Sequence, residues 1–209
     1  MLRRMLLAAT AALLLPLLAA PLAAQRWSFG ALGGANSSTV GGSDAEGAKS
    51  RVGFAGGAQL VRTFTDNVAL EVDALYSMKG AKGEDEGATA DVKISYVEVP
   101  LLLRIGPSTT GTVRPFATLG ASADFRLTCR AEGRERALSV SVDCDEFADF
   151  RSFDATLIGG AGIDAPLGAG TMTLAVRYGY GLRNLVKEDE VRNRAFTFLA
   201  GWRMPIGRK

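Results

Sequence analysis

Met172-Thr173-Leu174-Ala175-Val176-Arg177-Tyr178-Gly179-Tyr180-Gly181-Leu182-Arg183 alternates without a break. The even positions are large and apolar, and the odd positions are small, polar or cationic. A period of two is the signature of a β-strand with two unlike faces, whereas a helix would scatter both sets around its axis. The pattern returns in Phe196, Phe198, Ala200, Trp202 and Met204 against Thr197, Leu199, Gly201 and Arg203. It returns again in Val68, Leu70, Val72, Ala74, Tyr76 and Met78 against Glu71, Asp73, Ser77 and Lys79. Working outward from these, strands are expected near residues 26–36, 51–63, 68–79, 92–105, 113–127, 152–164, 171–183 and 194–205. The expected fold is all-β: an eight-stranded antiparallel up-and-down barrel.

Alternation alone does not say which face meets water. In a soluble barrel the apolar face turns inward; in a transmembrane barrel it turns out to lipid. Three features favour the transmembrane form. First, Trp27, Phe29, Tyr76, Phe125, Tyr178, Tyr180, Phe196 and Trp202 share the apolar parity and cluster towards strand ends. Interfacial aromatic girdles occupy such positions, although ordinary core aromatics would show the same parity. Second, the opposite parity offers Glu71, Asp73, Glu98, Arg104, Arg114, Asp124, Arg126, Asp154, Arg177 and Arg203, mixed in sign and interleaved with small residues. An eight-stranded interior is just wide enough for side chains to fill it, so opposed charges and glycine (positions 33, 34, 56, 57, 159, 160 and 162) fit there. Third, the connections at 37–50, 80–91, 128–151 and 184–193 are long and polar, while those at 64–67, 106–112 and 165–170 are short. Long external loops and short periplasmic turns are the asymmetry of outer-membrane barrels.

The first 24 residues read as a secretory signal peptide, leaving 25–209 as the barrel domain. Arg3 and Arg4 begin it, an apolar run from Leu6 to Leu18 follows, and Ala23-Ala24 precedes Gln25 as a small-residue cleavage region. The run is short for a membrane helix and is interrupted by Pro16. Without Arg3 and Arg4, 22 of the 24 basic residues remain against 22 acidic ones. This neutral balance gives no support for a nucleic-acid partner. The two cysteines, Cys129 and Cys144, share one polar segment of an exported chain, and a disulfide is the simplest reading. The competing metal pair lacks any histidine or third cysteine to complete it.

With these elements in place the chain resembles the small outer-membrane β-barrel family, the eight-stranded porin-like barrels related in plan to OmpA-type transmembrane domains. The resemblance spans residues 26–206. Its most specific element is Ser95-Tyr96-Val97-Glu98-Val99-Pro100-Leu101-Leu102-Leu103-Arg104, which looks like that family's fourth strand. Arg114-Pro115-Phe116-Ala117 with Gly120 looks like the next. Pro100 and Pro115 are expected at bulges or strand ends, where no ladder donor is required, and a parity change between Ile94 and Val97 fits such a bulge. Many such barrels end on an aromatic residue read by the barrel-assembly machinery. This chain departs from that with Met204-Pro205-Ile206-Gly207-Arg208-Lys209, so that either Trp202 serves instead or the insertion signal is degenerate. The resemblance implies an outer-membrane location and contact with its lipid.

Catalytic signals are weak. The absence of histidine removes Ser-His-Asp and Cys-His chemistry. Gly160-Ala161-Gly162-Ile163-Asp164-Ala165 has the form of a dinucleotide turn, but Pro166-Leu167-Gly168 follows in place of a helix. Residues 42–50 imitate a phosphate loop, but one residue too many separates Gly47 from Lys49-Ser50, and Asp44 and Glu46 would repel phosphate. Glu84-Asp85-Glu86, Asp143 with Asp145 and Glu146, and Glu188-Asp189-Glu190 read as solvated loop charge rather than cation sites. Asn36-Ser37-Ser38 is a chance glycosylation match in a bacterial-type chain. The expectation is a non-enzymatic, cofactor-free outer-membrane barrel with a plugged polar interior. Its long loops would serve structural, surface-interaction or adhesion roles toward an extracellular or envelope partner. The alternative is a soluble periplasmic barrel binding an apolar ligand, with Phe196, Phe198, Tyr178 and Val176 pointing inward.

Overall fold

The computed structural model describes residues 26–42, 49–85, 88–108, 112–135, 138–146, 151–185 and 191–207. The expected signal peptide and Glu86, Glu188, Asp189 and Glu190 lie outside these residues. Among the described residues the strands are β1 (Arg26–Gly41), β2 (Lys49–Thr63), β3 (Val68–Asp85), β4 (Ala88–Ile105), β5 (Arg114–Glu135), β6 (Leu138–Asp143), β7 (Phe153–Leu167), β8 (Gly170–Gly181) and β9 (Arg192–Ile206). Eight of them close a cylinder in the order β4-β3-β2-β1-β9-β8-β7-β5, with β5 returning to β4. Every pairing is antiparallel, and β1 and β9 form the seam from Trp27↔Ile206 to Gly41↔Arg192. Closure leaves the cylinder no open sheet edge, which strands in hydrocarbon require.

Side chains obey the two-residue period throughout. Leu174, Val176, Tyr178, Phe196, Phe198 and Trp202 are exposed, while Thr173, Arg177, Leu199 and Arg203 are buried. Phe196 and Phe198 are 51% and 56% exposed, whereas Glu71 and Asp73 are 0% and 1% exposed. The apolar face is therefore on the outside and the charges are inside. This is the inverse of a soluble ligand-binding barrel and sets that alternative aside.

The strands run further than the alternation indicates. β3, β4 and β5 continue through much of 80–91 and 128–135, segments expected to be loops. β5 has 22 residues, against about 9–11 for a tilted membrane strand. Its first part pairs with β7, from Arg114↔Asp164 to Phe125↔Phe153. Beyond that β6 replaces β7, pairing from Arg130↔Asp143 to Glu135↔Leu138. A ninth strand and a sheet of β3, β4, β5 and β6 thus project past the barrel at the end of the long connections. In this projection water reaches both faces, so an apolar-polar alternation is not required.

Two local expectations are corrected. β4 keeps one parity, with Ile94, Tyr96, Glu98, Leu102 and Arg104 all buried, so there is no parity change between Ile94 and Val97. The irregularity lies across from it: Ser95 pairs with Thr128 and Tyr96 with Arg126, which leaves Leu127 of β5 as the extra residue. Pro100 sits instead where the β3–β4 ladder is interrupted between Val72↔Leu101 and Leu75↔Glu98. The glycines are also divided. A Cβ on Gly34 would lie 1.8 Å from the Phe198 carbonyl oxygen, a close approach that excludes any side chain. A Cβ on Gly33 or Gly159 would meet nothing within 4 Å, so those two are not required by interior packing.

Candidate functional site

The interior is a set of ion pairs assembled from strands distant in sequence. Arg177 on β8 donates to Asp73 at 2.7 Å and to Glu71 at 2.9 Å, both on β3. Glu71 also meets Arg104 of β4 at 3.2 Å. Arg104 continues to Asp164 of β7 at 2.8 Å, which Arg203 of β9 reaches at 2.6 Å. Thr173 donates to Asp164 at 2.7 Å and accepts from Arg203. The Arg104 guanidinium lies 3.6 Å from the Phe116 ring centroid. Three arginines thus offset three carboxylates, the condition for retaining charge in a region shielded from water.

A second cluster lies towards the long connections. Lys79 of β3 contacts Glu98 of β4 at 2.5 Å and Asp124 of β5 at 3.6 Å. Thr156 donates to Asp124 at 2.5 Å, and Ser122 donates to its other oxygen. Asp154 accepts from the Ala155 amide at 2.7 Å. Arg126 is highest, forking onto both oxygens of Asp145 at 2.9 and 3.0 Å. Leu32, Ala55, Leu75 and Leu199 add an apolar patch on the wall formed by β1, β2, β3 and β9.

Above this the mouth is closed by apolar side chains. Ile94, Tyr96, Cys129, Cys144 and Leu185 are buried together, flanked by Val40, Val92 and Val191. Cys129 and Cys144 are disulfide-bonded, with Cα atoms 5.4 Å apart. The bond ties the end of β6 and the 3-10 turn Cys144–Glu146 to the inner wall. Arg51 closes another side of the rim on Asp91 at 2.9 Å.

Of the charged positions read from parity, Glu71, Asp73, Glu98, Arg104, Asp124, Asp154, Arg177 and Arg203 are buried in this interior and Arg126 lies at its rim. Sequence reading did not identify Lys79, Asp164 and Arg51 as paired interior charges, nor the inward Tyr96. Lys79 lies on the parity of Glu71 and Asp73, a signal that was available. Asp164 was obscured by the dinucleotide-like run around it. Arg114 is exposed at the short-turn end. Trp27, Tyr76, Tyr178, Phe196 and Trp202 are exposed on the outer face and Tyr180 is half-buried. Trp27 and Trp202 lie near the short turns, while Tyr178 and Phe196, whose ring centroids are 4.8 Å apart, lie towards the other end. Among the described residues no group of three or more Cys, Asp or Glu side chains is arranged to hold a metal ion.

An apolar outer wall around a salt-bridged lumen defines a transmembrane β-barrel. The chain belongs to the outer membrane protein beta-barrel domain family, whose model matches residues 20–187, and it is an outer-membrane protein. Neisserial surface protein A superposes with a TM-score of 0.50 at 16% identity, over 85% of this chain and 96% of that one. Two other structures are similar at lower scores. Ail of Yersinia pestis, solved with the heparin analogue sucrose octasulfate, has a TM-score of 0.43 at 17% identity, covering 86% and 99% of the two chains. OprG of Pseudomonas aeruginosa has 0.42 at 18% identity, covering 86% and 94%. Identities this low speak to fold alone. No curated protein matches the chain.

Proposed function

We propose that this protein is a non-enzymatic surface-display barrel, sealed within and built to present its extracellular sheet to a partner outside the cell. The observation that carries the reading is the β3–β6 projection, anchored at the mouth by Cys129–Cys144. A barrel serving only as a pore has no use for strands that outrun the membrane or for an apolar stopper over the lumen. Between Lys82, Asp91, Lys93, Glu132 and Ser141 the projection holds a polar groove of about 410 Å³, bordered by a Lys93–Glu132 pair at 2.6 Å. Such a groove suits a polar surface ligand better than an acyl chain.

In this reading residues 1–24 direct export and are removed. Trp27, Tyr76, Tyr178, Tyr180, Phe196 and Trp202 are the interfacial girdles, and the assembly machinery inserts the closed barrel. The outward apolar faces and the seam between β1 and β9 support this.

The test compares cells displaying the full chain with cells in which residues 131–142 are replaced by a short turn, leaving both cysteines in place. Adherence or cell-cell aggregation should fall to background, while the heat-dependent gel shift of the barrel persists. Unchanged adherence would remove the display role, and large stable conductance in planar bilayers would contradict the sealed interior.

A further inference from the structure

Three arginines on the outer face differ from those in the lumen. Arg194 of β9 stands opposite Tyr180 of β8. Its guanidinium lies 5.5 Å from the Tyr180 ring centroid and rests over Gly41, where a Cβ would come within 2.6 Å of it. Arg192 stands opposite Gly41. It donates to the Asn184 side-chain oxygen at 3.1 Å and to the Tyr180 hydroxyl at 3.4 Å. Arg183, just past β8, lies 5.5 Å from the Phe153 ring centroid. None of the three is ion-paired with a carboxylate among the described residues, whereas Arg104, Arg177 and Arg203 each are. All three lie at the long-loop margin of the apolar band, beside Leu182, Tyr178 and Phe196, which are exposed.

We infer that Arg183, Arg192 and Arg194 form a binding site for the phosphorylated headgroup of an outer-leaflet lipid, whose acyl chains lie along the apolar wall below. Arg183 and Arg194 lie beside aromatic rings and Arg192 is positioned by Asn184 and Tyr180, and the planar fork of a guanidinium matches two phosphate oxygens. Arg183 just past β8 and Arg192 and Arg194 at the start of β9 place positive charge where an anionic headgroup is anchored at membrane level. Water and salt would reach a free anion there, whereas a lipid gains the apolar contact as well. Gly41 contributes by absence, since any side chain there would lift Arg194 from its seat.

The experiment is native mass spectrometry of the full chain released from detergent with diphosphoryl lipid A or with the same lipid stripped of its phosphates. At about 1 kcal/mol per surface guanidinium, each arginine should favour the phosphorylated form about fivefold, and the R183Q/R194Q variant should lose about 25-fold of that preference. R183K/R194K, which keeps charge but not the fork, should retain part of it. The heat-dependent gel shift reports whether each variant has folded, and the comparison of the two lipids on the unaltered chain needs no variant. Equal retention of both lipids would overturn the site. So would displacement by inorganic phosphate at concentrations equal to the lipid, which would mark a free-anion site instead. Glu188, Asp189 and Glu190 lie in the adjacent connection. If E188Q/D189N/E190Q lowers the thermal midpoint as much as R183Q/R194Q while R183Q/R194Q leaves lipid preference intact, the arginines serve those acids and the inference is wrong.

Discussion

Arg177 and Asp73 meet at 2.7 Å across the full width of the barrel. Their strands, β8 and β3, are four places apart in a ring of eight, and so stand on opposite walls. One side chain spans the lumen, and Glu71 shares its far end. This contact obstructs the lumen and braces the opposed walls.

Loss of that brace should be costly. R177M leaves Glu71 and Asp73 buried with no partner from the opposite wall, and breaking a buried pair this way costs about 3–5 kcal/mol. The midpoint of the heat-dependent gel shift should fall, and single-channel recordings should acquire openings absent from the unaltered protein. D73N/R177M should recover part of the stability, because one stranded charge has been removed with its partner.

The disulfide should act on the mouth and leave the cylinder intact. It closes a separation of 15 residues, worth about 3 kcal/mol in the chain-entropy model. C129S/C144S should keep the gel shift of a folded barrel but admit protease between residues 130 and 150. Cleavage mapped by mass spectrometry, with and without reductant, checks this. Equal protection in both forms would show that Ile94, Tyr96 and Leu185 hold the segment unaided.

Lipid exposure predicts a face-dependent penalty. L174R places a cation on the outer wall, where the cost is about 2–4 kcal/mol at the membrane midplane. The variant should fold poorly into vesicles, read by gel shift after urea dilution. Replacing the exposed Ser141 of the projection with arginine should leave the folded yield unchanged.

Closure depends on the seam. A Cβ on Gly30 would come within 2.0 Å of the Trp202 carbonyl oxygen and 2.6 Å from the Arg203 Cβ. G30V should prevent β1 from pairing with β9 and abolish the gel shift, while G33A, which meets nothing, should fold normally.

The membrane part of this architecture was legible because two environments impose opposite demands on adjacent residues. β8 shows this without ambiguity, from Met172 to Gly181. The projection was hidden for the converse reason: Lys82, Asp91, Lys93 and Glu132 pair as strands with water on both sides, so their composition reads as loop. Parity identified Glu71, Asp73, Arg104 and Arg177 as sharing one compartment but not who pairs with whom. That choice depends on the stagger between strands, which placed Arg177 against Asp73 and gave Arg104 to Glu71 and Asp164. Leu75 and Leu199 also show that the inner parity need not be polar throughout, since Leu32 and Ala55 give them an apolar neighbourhood.

The replacement of β7 by β6 beside β5 separates two kinds of freedom. Below the exchange, each substitution must suit lipid on one side and a crowded lumen on the other. Above it, neither requirement applies, and the backbone ladder with the Cys129–Cys144 tie at its base holds the shape. Residues of the projection can therefore change or lengthen without altering the part that must insert, so the proposed display surface is free to vary while its anchor is kept.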